Sequence, residues 1–178
     1  MSTVTALLSS PASVGVWTLV PERCTIAFRG VSMYGLLPVK GRFKEFSGGG
    51  QIAEGGRVSG RLDIKAASLD TKLRKRDDDL RKPEFFDVER HPDITVVVGN
   101  GQPVDGDTMD LRADLTVKGT TKPLPLRAKV EVLDDGAVRL TSAITVDRHD
   151  FGVSGNMVGM IRDKATVSAD LVFRRAAG

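Results

Sequence analysis

MDLRADLTVKGTTKPLPLRAKVEV, residues 109–132, decides the fold. Met109, Leu111, Ala113, Leu115 and Val117 alternate with Asp110, Arg112, Asp114, Thr116 and Lys118, and beyond Lys118-Gly119-Thr120 the alternation resumes at Leu124, Leu126, Ala128, Val130 and Val132. Successive side chains of a strand point to opposite faces, so each half is a strand with one apolar and one wet face. The intervening Gly supplies positive φ cheaply, which makes the pair an antiparallel hairpin. The pattern extends outward in both directions. Val58, Gly60, Leu62, Ile64 and Ala66 form one face upstream; Val138, Leu140, Ser142, Ile144 and Val146, then Ala165, Val167, Ala169, Leu171 and Phe173, form two more downstream. Residues 16–20, 24–31 and 39–46 have strand composition with less regular alternation, and Ile94–Val98 reads as a short run buried on both faces.

Glycine-rich stretches fall between these segments and are read as turns: Ser47-Gly48-Gly49-Gly50, Glu54-Gly55-Gly56, Asp105-Gly106-Asp107 and Asp134-Asp135-Gly136. About eight strands with one apolar face each must pack as two sheets or close into a barrel, and closure removes the exposed edges. One stretch departs from the rule. TKLRKRDDDLRKPEFF, residues 71–86, has no alternation, and the reading is a helix near 73–81 with a further turn of helix near 83–86. The expected fold is therefore all-β and mainly antiparallel, an extended barrel of about eight strands with a short helical insertion near 73–86. Its single domain occupies residues 16–175, after a flexible segment at 1–15.

The 178 residues suit one domain. One Trp, one Tyr and seven Phe leave a core built from aliphatic residues. Gly60, Ala66, Ala113, Ala128, Ser142, Ala165 and Ala169 keep the apolar faces small, leaving room inside a barrel of this size for one thin ligand. A net charge of +3 is too slight and too spread for nucleic acid. The single Cys24 excludes an intramolecular disulfide and a multi-cysteine metal site. The opening MSTVTALLSSPASVGV has no Lys or Arg ahead of its short apolar stretch, and no run approaches the roughly 18–20 apolar residues of a membrane span, so the expectation is a soluble, cytoplasmic protein.

Lys72, Arg74, Lys75, Arg76, Arg81 and Lys82 against Asp77, Asp78 and Asp79 give the insertion a local basic excess. This reads either as a lid attracting an anionic headgroup or membrane surface, or as a solvated helix laced with salt bridges. His91 and His149 lack the spaced partners of a zinc site, and no nucleophile elbow, metalloprotease helix or phosphate loop accompanies them. A hydrolase or isomerase using either with Asp87 or Asp150 is the enzymatic alternative. Phe85 and Phe86 anchor the insertion on the barrel end or form the gate of a pocket.

Ordered motifs carry a resemblance: Trp17-Thr18-Leu19-Val20-Pro21, Val39-Lys40-Gly41-Arg42-Phe43-Lys44-Glu45-Phe46-Ser47-Gly48, Ser68-Leu69-Asp70-Thr71 leading to Lys75-Arg76-Asp77 and Leu80, Phe85-Phe86-Asp87-Val88-Glu89-Arg90-His91-Pro92-Asp93-Ile94-Thr95, Ala113 to Pro123, and Arg148-His149-Asp150-Phe151-Gly152-Val153. Over residues 17–174 the chain resembles the YceI-like family of isoprenoid-binding, lipocalin-like barrels. The resemblance implies non-enzymatic binding, storage or transport of a long polyisoprenoid, such as an isoprenoid quinone or polyprenyl phosphate; monomer and homodimer both stay open, and no metal or other cofactor is expected. It departs from the family at Arg23-Cys24 and near Gly30, where members commonly carry histidines. A ligand-free structural or stress-response barrel is a third reading.

The residues assigned to the apolar interior are Phe28, Leu62, Ile64, Leu111, Leu115, Leu126, Val130, Leu140, Ile144, Leu171 and Phe173. Those assigned to the mouth, lid and family motif are Arg42, Arg76, Asp77, Leu80, Arg81, Phe85, Phe86, Asp87, Arg148, Asp150 and Phe151. The expected partner is a small lipid, with transient contact to a membrane surface.

Overall fold

A computed structural model describes residues 3–31, 38–153 and 164–176. Eleven strand segments occur in it: β1 (Gly15–Leu19), β2 (Thr25–Val31), β3 (Pro38–Phe43), β4 (Phe46–Ile52), β5 (Val58–Lys65), β6 (Leu69–Asp70), β7 (Asp93–Asp105), β8 (Thr108–Val117), β9 (Thr120–Val132), β10 (Val138–Asp147) and β11 (Lys164–Arg175). Two short helices, α1 (Thr3–Ser9) and α2 (Arg74–Leu80), complete the inventory beside four 3-10 turns. All pairings are antiparallel, and β11 pairs with β10 on one side and with β2 and β1 on the other. That last pairing closes the sheet on itself.

The eleven segments make eight long strands. A 3-10 turn at Pro21–Arg23 joins β1 to β2 along the same neighbour β11; a kink at Lys44-Glu45 joins β3 to β4; a 3-10 turn at Ala66–Ser68 joins β5 to β6. Kinks of this kind let a strand follow the curvature of a closed barrel without losing its partners. Cys24 serves the first of them. Its Sγ accepts the Val172 N–H at 3.2 Å and donates to the Val20 carbonyl at 3.1 Å. Burial pushes this thiol above its ordinary value, so Cys24 is a packed part of the kink rather than a reactive thiolate.

The hairpin at 117–120 forms as its sequence requires: Val117 pairs with Thr120, and Lys118 and Gly119 take φ of 53° and 76°, the two positive values of a type I′ turn. Burial in β8 alternates along its whole length, with Met109, Leu111, Ala113, Leu115 and Val117 inside. β10 and β11 pair continuously from Val138↔Phe173 to Asp147↔Lys164.

Four expectations are corrected. Gly48, Gly49 and Gly50 lie within β4, not in a turn, and the hairpin bend falls at Glu54-Gly55-Gly56. A Cβ on Gly48 would stand 2.5 Å from the Arg61 carbonyl, and one on Gly50 would stand 2.9 Å from that of Ser59, so these glycines permit a close backbone approach. Ile94–Val98 is not buried on both faces: it opens the 13-residue β7, and Val97 is 41% exposed. The second helical turn near 83–86 is a series of non-helical turns closed by Phe85, Phe86 and Asp87 N–H bonds to Lys82, Leu80 and Lys82 carbonyls. Pro83 therefore ends a helix instead of opening one.

The fourth concerns the start of the chain. Residues 3–13, expected to be flexible, form α1 and a 3-10 turn; Met1 and Ser2 lie outside the described residues. Val4 is fully buried, and the spacing of Val4, Leu7 and Leu8 puts all three on one face. Two clusters of buried residues fill the two ends of the barrel. One, at the α1 end, contains Val4, Trp17, Ile52, Met109, Val130 and Val138; the other, beneath the 71–92 insertion, contains Ile26, Phe43, Leu69, Leu80, Phe85 and Phe151.

Candidate ligand-binding lumen

Between the two clusters the inward faces of the strands leave a cavity of about 330 Å³. That lies at the lower end of the roughly 300–1,000 Å³ span of small-molecule sites. All eleven residues assigned from the sequence to the apolar interior line it, from Phe28 and Leu62 to Leu171 and Phe173. The reason is register. Cross-strand partners such as Leu140↔Leu171, Leu111↔Leu126 and Ile64↔Ile94 sit on the same face, so one inward residue brings its neighbour's partner inward too. Ala165, Val167, Ala169 and Ser142 keep the wall low on the β10–β11 side.

The end beneath the insertion is aromatic. Phe28 and Phe43 face each other with ring centroids 5.4 Å apart, and Phe86 meets Phe43 edge-on at 6.1 Å. Phe28 lies over Gly41 on the neighbouring strand, where a Cβ would come within 2.3 Å of its ring; the missing side chain makes the ring's seat. Phe151 and Val153 complete this end, delivered by the 3-10 turn Arg148–Phe151 and its left-handed Gly152. Two charged residues border the cavity. Arg61 occupies an outward strand position and binds Asp63, whose carboxyl it holds below the usual carboxylate range. Arg148 reaches the wall at the aromatic end, its Nη1 donating to the Val153 carbonyl at 2.8 Å.

The mouth assignments separate into three groups. Phe86, Arg148 and Phe151 line the lumen. Leu80 and Phe85 are buried in the core just outside it. The others lie off it. Arg42 is exposed and outward, next to inward Phe43. Asp77 is buried, and its Oδ1 accepts the Thr71 N–H at 2.8 Å and the Thr71 hydroxyl at 2.5 Å. Arg76 donates to Thr71 Oγ1 and the Thr71 carbonyl, and Arg81 to the Ala67 and Leu69 carbonyls. These three fasten α2 to the end of β6; they do not face a headgroup. Asp87 is buried with φ of 49°, and its carbonyl accepts the Arg90 and His91 N–H groups. Asp150 is exposed.

The basic insertion is thereby a salt-bridged helix: Arg81 pairs with Asp78 and Lys82 with Asp79, both three residues apart. Neither histidine borders the lumen. His91 packs its ring against Gly119, and His149 is exposed. Among the described residues no group of His, Cys, Asp or Glu is arranged to hold a metal ion, and no helix is long and apolar enough to cross a membrane. The sequence reading missed α1 and Trp17 as lumen wall. The signal was present in Val4, Leu7 and Leu8 at helical spacing.

A family profile described as YceI-like domain matches residues 17–173. A protein of Pseudomonas putida named UPF0312 protein is 30% identical over 162 aligned residues, covering 85% of this chain and 83% of the relative. Protein YceI of Escherichia coli is 34% identical over 92 residues, 51% of this chain and 48% of that one. Among solved structures, Burkholderia cenocepacia BcnA superposes with a TM-score of 0.78 at 20% identity, covering 86% of this chain and 98% of BcnA. A polyisoprenoid binding domain from Saccharophagus degradans, implicated in plant cell wall breakdown, superposes with a TM-score of 0.75 at 19% identity, covering 90% and 98%. At these identities the two superpositions speak to the fold.

Proposed function

This chain belongs to the YceI-like family, and from that membership and its apolar lumen we propose that it binds one long, branched aliphatic lipid of the polyisoprenoid class for storage or transport, without chemical conversion. The observation that carries the reading is the apolar wall that runs from α1 to the aromatic end. Small residues on β10 and β11 leave space that a filled structural barrel would occupy, and the methyl-branched units of a prenyl chain suit a wall of Val, Leu, Ile and Ala.

Binding then follows from burial. Each CH₂ removed from water contributes about 0.8 kcal/mol, so each five-carbon unit contributes roughly 4 kcal/mol before the cost of ordering the chain. Few polar contacts are needed. Arg148 stands where the lumen meets the aromatic end and suits an oxygen-bearing headgroup there, such as a quinone carbonyl or a phosphate.

The test is native mass spectrometry of protein purified without detergent, followed by organic extraction. An adduct that releases a prenyl compound is expected. Ala169→Phe, which places a ring into the lumen from β11, should abolish the adduct while leaving the circular dichroism of the barrel intact. An apo mass that takes up no added prenol, or an adduct undiminished in Ala169→Phe, sinks the reading.

A further inference from the structure

The family match begins at residue 17, yet the lumen is bounded at one end by residues that precede it. Helix α1 directs Val4, Leu7 and Leu8 at the barrel, and all three line the cavity. It is seated between two hairpin bends. The Val4 N–H donates to the Gly106 carbonyl in the β7–β8 turn, and Leu8 rests on the β4–β5 turn, where a Cβ on Gly56 would stand 3.0 Å from the Leu8 carbonyl. Beyond α1, the Ser13 carbonyl accepts the Trp17 indole N–H at 2.9 Å, tying the segment to a residue that itself lines the lumen.

A seven-residue helix is far shorter than the roughly 12–15 residues at which isolated helices become even marginally stable, so α1 persists through its seat on the barrel. It covers the lumen end opposite the aromatic cluster of Phe28, Phe43 and Phe86. A chain entering with its headgroup toward Arg148 therefore advances its tip toward Val4, Leu7 and Leu8.

We infer that α1 is the end-stop of the lumen: Val4, Leu7 and Leu8 set the greatest chain length the barrel accepts, and are thus the specificity-determining residues for ligand length. This rests on the lipid-binding reading above. A chain shorter than the limit leaves apolar wall unfilled and forgoes burial; a longer one must leave its excess in water or unseat α1.

The experiment measures affinity for two homologous series, linear prenols from farnesol to solanesol and straight-chain fatty alcohols of matching lengths, with the full chain, with residues 1–9 deleted, and with Leu7→Trp. In the full chain and the deletion variant Trp17 emission reports the tip, because the single tryptophan lies in the wall beside the stop; Leu7→Trp, which adds a second tryptophan, is read by affinity alone. For the full chain, affinity should rise with length to a limit and then level or fall, with the Trp17 response appearing at that limit. Deletion should move the limit to longer chains, with a gain of about tenfold for the first length beyond the original limit. Leu7→Trp, which enlarges the stop within the intact chain, should move it to shorter ones, and it decides the matter should the deletion variant not fold. A limit unmoved in Leu7→Trp overturns the inference. The two series keep the readings apart: uptake of fatty alcohols without prenols ends the polyisoprenoid reading while the limit still judges α1, and uptake of neither ends both.

Discussion

Gly48 and Asp77 show how single residues hold this barrel. At Gly48 the backbone of β4 runs so near the Arg61 carbonyl that any Cβ forces the strands apart. Gly48→Ala should cost roughly 1–3 kcal/mol in urea denaturation. Gly99→Ala is the control, because a Cβ there meets nothing within 4 Å and the backbone is not left-handed. Its effect should stay within about 0.5 kcal/mol. Equal costs at the two sites would refute the close-approach explanation. Asp77 is the one buried acid of α2, and both hydrogen bonds of its carboxylate are to Thr71. Asp77→Ala leaves a buried N–H and hydroxyl without their acceptor, which should cost about 1–3 kcal/mol. A double-mutant cycle with Thr71→Val should return a coupling of at least about 0.5 kcal/mol; additivity would show that the contact contributes nothing.

At the scale of elements, helix propensity and charge placed α2, while packing decided its ends. Leu73 and Leu80 are seven apart, but Leu80 is buried and Leu73 is 57% exposed at the N-cap position. The ion pairs Arg81–Asp78 and Lys82–Asp79 each join an exposed side chain to a half-buried one at the surface, a class that contributes little. What secures the insertion is the buried Thr71–Asp77 contact together with Leu80 and Phe85 in the core. Accordingly Asp78→Ala should shift the urea midpoint far less than Asp77→Ala, and a reversed order would show that surface charge holds the insertion. In α1 it is the apolar spacing of Val4, Leu7 and Leu8 that marks the helix in the sequence.

At the scale of the whole molecule, exposed ion pairs stitch the outside of the barrel: Arg61–Asp63, Arg127–Asp110 and Lys65–Asp93. Asp63, Asp70, Asp110 and Asp135 are all held below the ordinary carboxylate value: Asp63 and Asp110 mainly by a guanidinium, and Asp70 and Asp135 mainly by the backbone N–H groups of Lys72 and Ala137. A carboxyl whose folded value is depressed favours the folded state above its unfolded value of about 3.9, and that contribution is lost as the pH falls through the folded value. Chemical-denaturation midpoints should therefore change little from about pH 8 to pH 5 and decline below about pH 4. Stability that rose on acidification below pH 4 would contradict these shifts.

The amphipathic strands, their inward faces and the tight turn at Lys118-Gly119 were legible in the sequence, because alternation and positive φ are local properties of consecutive residues. So was the apolar wall: the ten interior residues read from alternation, and Phe28 from a less regular strand, all line the lumen. Other features were decided only by tertiary structure. The run Gly48-Gly49-Gly50 reads locally as a turn, and only the carbonyls of β5 and β1 pressing against it show why it is strand. Arg76, Asp77 and Arg81 read as a charged lid, and only the carbonyls and hydroxyl at the end of β6 show that they are fasteners. Closure through β11, a lumen left unfilled between two packed ends, and α1 as the boundary of one of them depend on contacts between residues far apart in the chain. A local pattern determines which way a side chain points, whereas what it meets there is set by the pairing of the whole sheet.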